Sequence, residues 1–208
     1  MIRQLGMCVI LLWSAPAAAQ CDDIKILKKP AAMGQLDTAT LTCLEAARDN
    51  ATLTRRENVS NLLIANAFAQ KDDATWEKHV KVHLSQIDSS DSETMTRYAQ
   101  HLLKNDRAPE ALKWAESAAE HSYSWPEDEL QDNLYELQRL KTRTLWAIYE
   151  SFAEEGGMRQ RAALGQVQLA SVEWIQLSAK NKRDMSEAMD FCIRAGWNQE
   201  RCQQQADL

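Results

Sequence analysis

Residues 93–121 constrain the fold of this chain more than any other stretch. Met95, Tyr98, Ala99, Leu102 and Leu103 recur at helical spacing, and Lys104-Asn105-Asp106 breaks the run. Ala111, Leu112, Trp114, Ala115, Ala118 and Ala119 then form a second apolar stripe. Residues three and four apart share one face of a helix, so each stripe must bury against something. The short polar break lets the second helix fold back on the first, and a helical hairpin is the expected product. No stretch alternates apolar and polar residues at strand length, and only six Gly and four Pro punctuate the 208 residues. The expected fold class is all-α.

The preceding segment has the same form. Thr54-x-x-Glu57 reads as a capping box for a helix carrying Val59, Leu62, Leu63, Ile64, Ala65, Ala67 and Phe68. Lys71-Asp72-Asp73 breaks it, and Trp76, Val80, Leu84 and Ile87 make the return stripe. Ile64-Ala65-x2-Phe68 precedes Tyr98-Ala99-x2-Leu102 by 34 residues.

Met95-x2-Tyr98-Ala99-x2-Leu102, followed by Ala111-x3-Ala115 and Ala118, resembles a degenerate tetratricopeptide repeat over about 30 residues. The chain departs from that pattern in three places. The first position lacks Trp, Ala115 replaces a large residue, and proline arrives late, at Pro126. The resemblance implies hairpins stacked as a short solenoid, with a concave face lined by the first helix of each pair. On those helices Asn58, Asn61 and Asn66, then Arg97, Gln100 and His101, are the non-core positions. The implied role of these neutral or positive donors is to bind a peptide backbone or an acidic segment of a partner protein. Their plainer reading is ordinary helix surface.

The rest of the chain frames this array. Residues 20–36 read as irregular, with Pro30 and Gly34, and a helix is expected from about Asp37 to Arg48. Ser124 to Glu127 looks like a helix start, with Ser124 as cap and Pro126 in the first turn. Leu130, Leu134, Leu137, Leu140, Leu145, Ile148 and Phe152 continue without a breaker to Gly156-Gly157. That run predicts a helix of about 30 residues, about 45 Å long, bracing the stack in the C-terminal half. A further helix is expected over 159–179. Asp184-x-x-Glu187 opens a short helix that ends at Gly196, and a last segment carries Cys202.

The N-terminus reads as a signal peptide over residues 1–19. Arg3 precedes an apolar run from Leu5 to Trp13, and Ala17-x-Ala19 supplies the cleavage pattern. The run is too short to span a bilayer, which needs about 20 residues. Residues 20–208 are expected to form a single all-α helical-repeat-like domain without a membrane span. Cys21 raises the possibility of a lipoprotein, but Gln20 and Ala18 stand where a small residue and Leu are wanted. The expected location is periplasmic or secreted.

Cys8 leaves with the signal. Of the three connectivities open to the remaining four cysteines, the local pairs Cys21–Cys43 and Cys192–Cys202 are expected, as staples at either end of an exported chain. The absence of C-x2-C spacing argues against zinc. The net charge of −6 argues against a general nucleic-acid binder.

No catalytic motif emerges, and no cofactor or metal is expected. His79-x3-His83 could place two rings on one helix face, but Lys78 and Lys81 flank it, and a surface or half-buried pair is the preferred reading. Trp76, Trp114 and Trp174 lie in apolar stripes; Trp146 with Tyr149, and Trp125 beside Tyr123, are the candidates for exposed aromatics. The expected function is an exported protein-binding or scaffold module of the cell envelope. The alternative is a cell-wall glycan-binding or glycan-cleaving protein with a Trp-rich cleft. Oligomeric state is left open.

Overall fold

The computed structural model describes Cys21 and residues 23–207. The expected signal segment and Gln20 lie outside the described residues, as do the side chains of Ser124 and Glu127. Ten α-helices and no strand occur among the described residues, so the chain is all-α. None of these helices is long and apolar enough to cross a membrane. The chain divides into two compact units, one ending at His83 and one beginning at Leu84.

The first unit opens with α1 (Ile24–Ala32), where the sequence suggests irregular chain. Asp23 caps it by accepting from the Lys25 N–H at 3.1 Å, and Pro30 lies inside the helix near its end. Proline is costly in a helix interior. The core offsets that cost: Leu27 and Ala31 are buried, and Cys21 is bonded to Cys43 with their Cα atoms 6.0 Å apart. Gly34 then turns the chain with φ +67°, and a Cβ there would lie 2.9 Å from Gln70 Cγ. Only glycine suits both constraints.

Helix α2 (Thr38–Asn50) starts as expected, with Asp37 accepting from the Thr40 N–H at 2.7 Å. Helix α3 (Leu53–Gln70) starts earlier than its expected capping box, because Thr52 is the N-cap and Thr54 already lies in the first turn. Lys71 ends it in the left-handed conformation, and Asp72 caps α4 (Asp73–Gln86) through the Thr75 N–H. The core of this unit gathers Cys21, Leu27, Leu36, Leu44, Val59, Leu62 and Leu63.

The second unit is built on the hairpin of α5 (Ser92–Lys104) and α6 (Ala108–Glu120), turned at Asp106 with φ 58°. Asp91 caps α5, and Pro109 sits in the first turn of α6. A 3-10 turn over Ser122–Ser124 leads to α7 (Glu127–Ser151). Pro126 is the N-cap of α7, one residue before the first turn where the sequence places it. The helix has 25 residues and ends before Gly156, so it is about 37 Å long. It packs against α5, α6 and α8 (Gly157–Lys180). Small side chains permit this approach: Ala99, Ala115 and Leu140 form one buried cluster with Leu103 and Trp114 against it. Helices α9 (Ser186–Arg194) and α10 (Gln199–Gln204) close the unit. Cys192 is bonded to Cys202 with Cα atoms 6.2 Å apart, completing the second expected pairing.

Burial follows a different register from the sequence echo. Val59, Leu62, Leu63 and Asn66 are buried in α3, and Met95, Tyr98, Ala99 and Leu102 are buried 36 residues later in α5. Phe68, which the 34-residue alignment sets opposite Leu102, is 70% exposed.

Candidate functional site

A groove between α5 and α7 in the second unit brings together polar and charged side chains from both helices. On α5, Gln100, Leu103 and Lys104 follow at three- and four-residue steps, so they share an edge. On α7, Glu136, Arg139, Leu140 and Arg143 repeat that spacing and form the facing ridge. The space between them is about 280 Å³. Leu140 is buried and Leu103 half-buried, giving an apolar floor beneath a polar rim.

The rim is cross-linked from α9. Arg139 Nε donates to Glu187 Oε2 at 3.0 Å, and Arg143 Nε donates to Glu187 Oε1 at 2.7 Å. One carboxylate therefore holds two guanidinium groups side by side. Arg139 also reaches Glu136 at 3.4 Å. Burial works against the Arg139 charge, but the Glu187 and Glu136 carboxylates outweigh it and raise its pKa. The Lys104 ammonium stands at the open end of α5 and is exposed. Each guanidinium has five N–H donors and keeps several beyond those used by the glutamates.

The six residues expected to carry recognition fall in both units. Asn58 and Asn61 are exposed on α3, and the Asn58 amide donates to Thr54 O at 2.8 Å. Asn66 is not a surface residue: it is 2% exposed, and its Oδ1 accepts from the Leu36 N–H at 3.2 Å. Its amide satisfies the loop after α1, which corrects the expectation of an open face there. Arg97 is exposed and paired with Glu93 one turn back. His101 is half-buried, and its carbonyl accepts from the Asn105 amide at 2.8 Å. Of the three on α5, Gln100 lines the groove.

Arg139, Arg143 and Glu187 escape sequence reasoning because their partnership spans 44 residues or more. The spacing of Arg139 and Arg143 on one helix face was the available signal, but nothing in the sequence places Glu187 opposite them.

The histidine pair takes separate partners. His79 lies 3.3 Å from Arg48 Nη1 through Nδ1, whereas His83 Nδ1 lies 3.1 Å from Ser60 Oγ. Both rings are buried, not half-exposed, and no cluster suited to a metal occurs among the described residues. Burial first, and then the Arg48 charge, lowers the His79 pKa below the ordinary histidine range. Among the described residues every tryptophan is buried or half-buried. Trp76 and Trp174 are buried, and Trp146 and Tyr149 pack half-buried against the α7–α8 core instead of standing in solvent. Arg194 lies 4.2 Å over the Trp146 ring. Tyr123 is exposed, and Trp125 is half-buried.

The chain has no significant match among protein-family models, curated proteins or solved structures.

Proposed function

We propose that this chain is an exported protein-binding module of the cell envelope, built as a degenerate tetratricopeptide-like array, and that its α5/α7 groove holds an acidic segment of a partner. The observation that carries the reading is the row of Lys104, Arg139 and Arg143 above Leu103 and Leu140. Charge-assisted bonds from guanidinium to carboxylate are the strongest polar contacts a surface groove offers, and an apolar floor adds contact area. Export fits the two disulfides, because such bonds persist in oxidising compartments. The sulfur of Cys21 is shared with Cys43, so it is not free to carry a lipid thioether. The glycan alternative draws no support from Trp76 and Trp174, whose rings are enclosed.

The test uses a fluorescent Glu-rich peptide and the purified protein with Gln100→Ala and Lys104→Ala combined. Both residues are exposed, so the thermal midpoint should stay nearly constant while the dissociation constant rises about tenfold, equivalent to about 1.4 kcal/mol. Unchanged peptide affinity in that variant would overturn the assignment of the groove.

A further inference from the structure

The opposite flank of α7 carries a second groove of different chemistry. Ala115 and Ala119 from α6 and Leu134 and Leu137 from α7 give it an apolar lining. Its volume is about 460 Å³. Leu137 is buried, while Leu134 is only half-buried and faces open space.

The charges on its two rims are not equivalent. On the α7 side, Lys141 pairs with Glu173 of α8 at 3.5 Å, and Gln138 donates to the same carboxylate at 3.0 Å. That rim is satisfied internally. On the α6 side stand Glu116 and Glu120, both exposed, with no ion-pair partner among the described residues. They are four residues apart, so they repel each other on one helix face. Glu120 is also the final residue of α6, where the helix dipole favours a positive charge, and the last turn contains no basic side chain. Two carboxylates thus repel each other beside an apolar slot, and the helix dipole also opposes Glu120.

We propose that the α6/α7 groove docks a basic amphipathic helix of a partner protein. Its apolar anchors would sit on Leu134 and Leu137, and its Lys or Arg side chains would pair with Glu116 and Glu120. The groove between two packed helices receives the side-chain ridge of a third, and Ala115 and Ala119 are small enough to let that ridge approach. A basic occupant relieves both the mutual repulsion of the glutamates and the clash of Glu120 with the dipole. An acidic segment would aggravate both. This surface is independent of the α5/α7 groove, which faces the other side of α7 and carries the opposite charge.

The test is an unbiased selection of displayed 16-residue helical peptides on the immobilised full-length protein, at low and at moderate salt. The expected outcome is enrichment of peptides with Leu or Phe at positions i, i+4 and i+7 and Lys or Arg beside them. A synthetic peptide of the selected sequence should bind the Glu116→Gln, Glu120→Gln double variant at least tenfold more weakly. Ala119→Gln, at an exposed position, should also reduce binding by narrowing the slot. Because both glutamates are exposed and have no ion-pair partner among the described residues, the double variant should keep or slightly raise its thermal midpoint, so a loss of binding is not a loss of folding. Enrichment of acidic peptides only, no enrichment at all, or basic peptides whose binding survives the double variant would each overturn the proposal. Concentration-dependent self-association abolished by the same substitutions would also overturn it, by showing a second copy to be the occupant.

Discussion

Burial of His79, reinforced by the Arg48 charge beside it, fixes the sign of its pH response. Glu45, Arg48, Lys78 and Asp72 are the charged groups acting on the ring, and burial is the largest influence, lowering its pKa from 6.5. As pH falls through about 6.5, the unfolded chain binds a proton at this position and the folded chain does not. Stability is therefore constant above that point as far as His79 is concerned, and declines below it until the lowered folded pKa is reached. Urea midpoints measured between pH 7.5 and 5.5 should fall on the acid side, and His79→Gln should flatten the fall. A parallel decline in that variant would remove the role. Asn66 makes a different kind of prediction. Asn66→Ala orphans the buried Leu36 N–H and should cost about 1–3 kcal/mol in denaturant unfolding. Asn61→Ala, on the exposed side of the same helix, should change stability by less than about 0.5 kcal/mol. Equal effects would contradict the assigned burial.

At the scale of single elements, the legible features are those whose cause is local. Asp37 and Asp91 accept from the backbone three residues on, and Lys71 and Asp106 turn left-handed at polar breaks. Each is written within a few residues, so helix ends could be read directly. Helix α1 could not, because Pro30 and Gly34 argue against it locally, while the Cys21–Cys43 bond and the core that includes Leu44 and Val59 decide for it. In helix α3 the buried face departs from the 34-residue echo. Ile64, Ala65 and Phe68 are apolar, yet the side that packs is Val59, Leu62, Leu63 and Asn66. When apolar residues cover more than one face, hydrophobicity alone does not choose between them, and here a polar amide fills one of the buried positions. The α5/α7 groove was legible in one residue, Gln100, because helical spacing exposes it. The shared pairing of Arg139 and Arg143 with Glu187 depends on α7 and α9 meeting, a tertiary fact that spacing within one helix does not contain.

On the scale of the whole molecule, each compact unit carries its own core and its own staple. Cys21–Cys43 closes a separation of 22 residues in the first unit, and Cys192–Cys202 closes 10 in the second. In the chain-entropy account, loops of these sizes are each worth about 3 kcal/mol, with the longer one slightly favoured. Because Cys21 joins the cluster around Leu27 and Leu44, its loss should loosen α1 and α2. Cys192 and Cys202 instead pack with Trp174, Ile175 and Phe191, so their loss should loosen α9 and α10. The Cys21→Ala, Cys43→Ala variant is expected to exchange amide hydrogens faster chiefly in residues up to 83. Cys192→Ala, Cys202→Ala should do so chiefly in residues beyond 84. Hydrogen exchange read by peptide mass spectrometry under native conditions makes the comparison within one protein at a time. If either pair of substitutions accelerates exchange equally in both units, the chain opens as one cooperative block and the staples do not act on separate cores. If the effects segregate, each core has its own free energy of opening, and the groove flanks of α7 can be altered without disturbing the first unit.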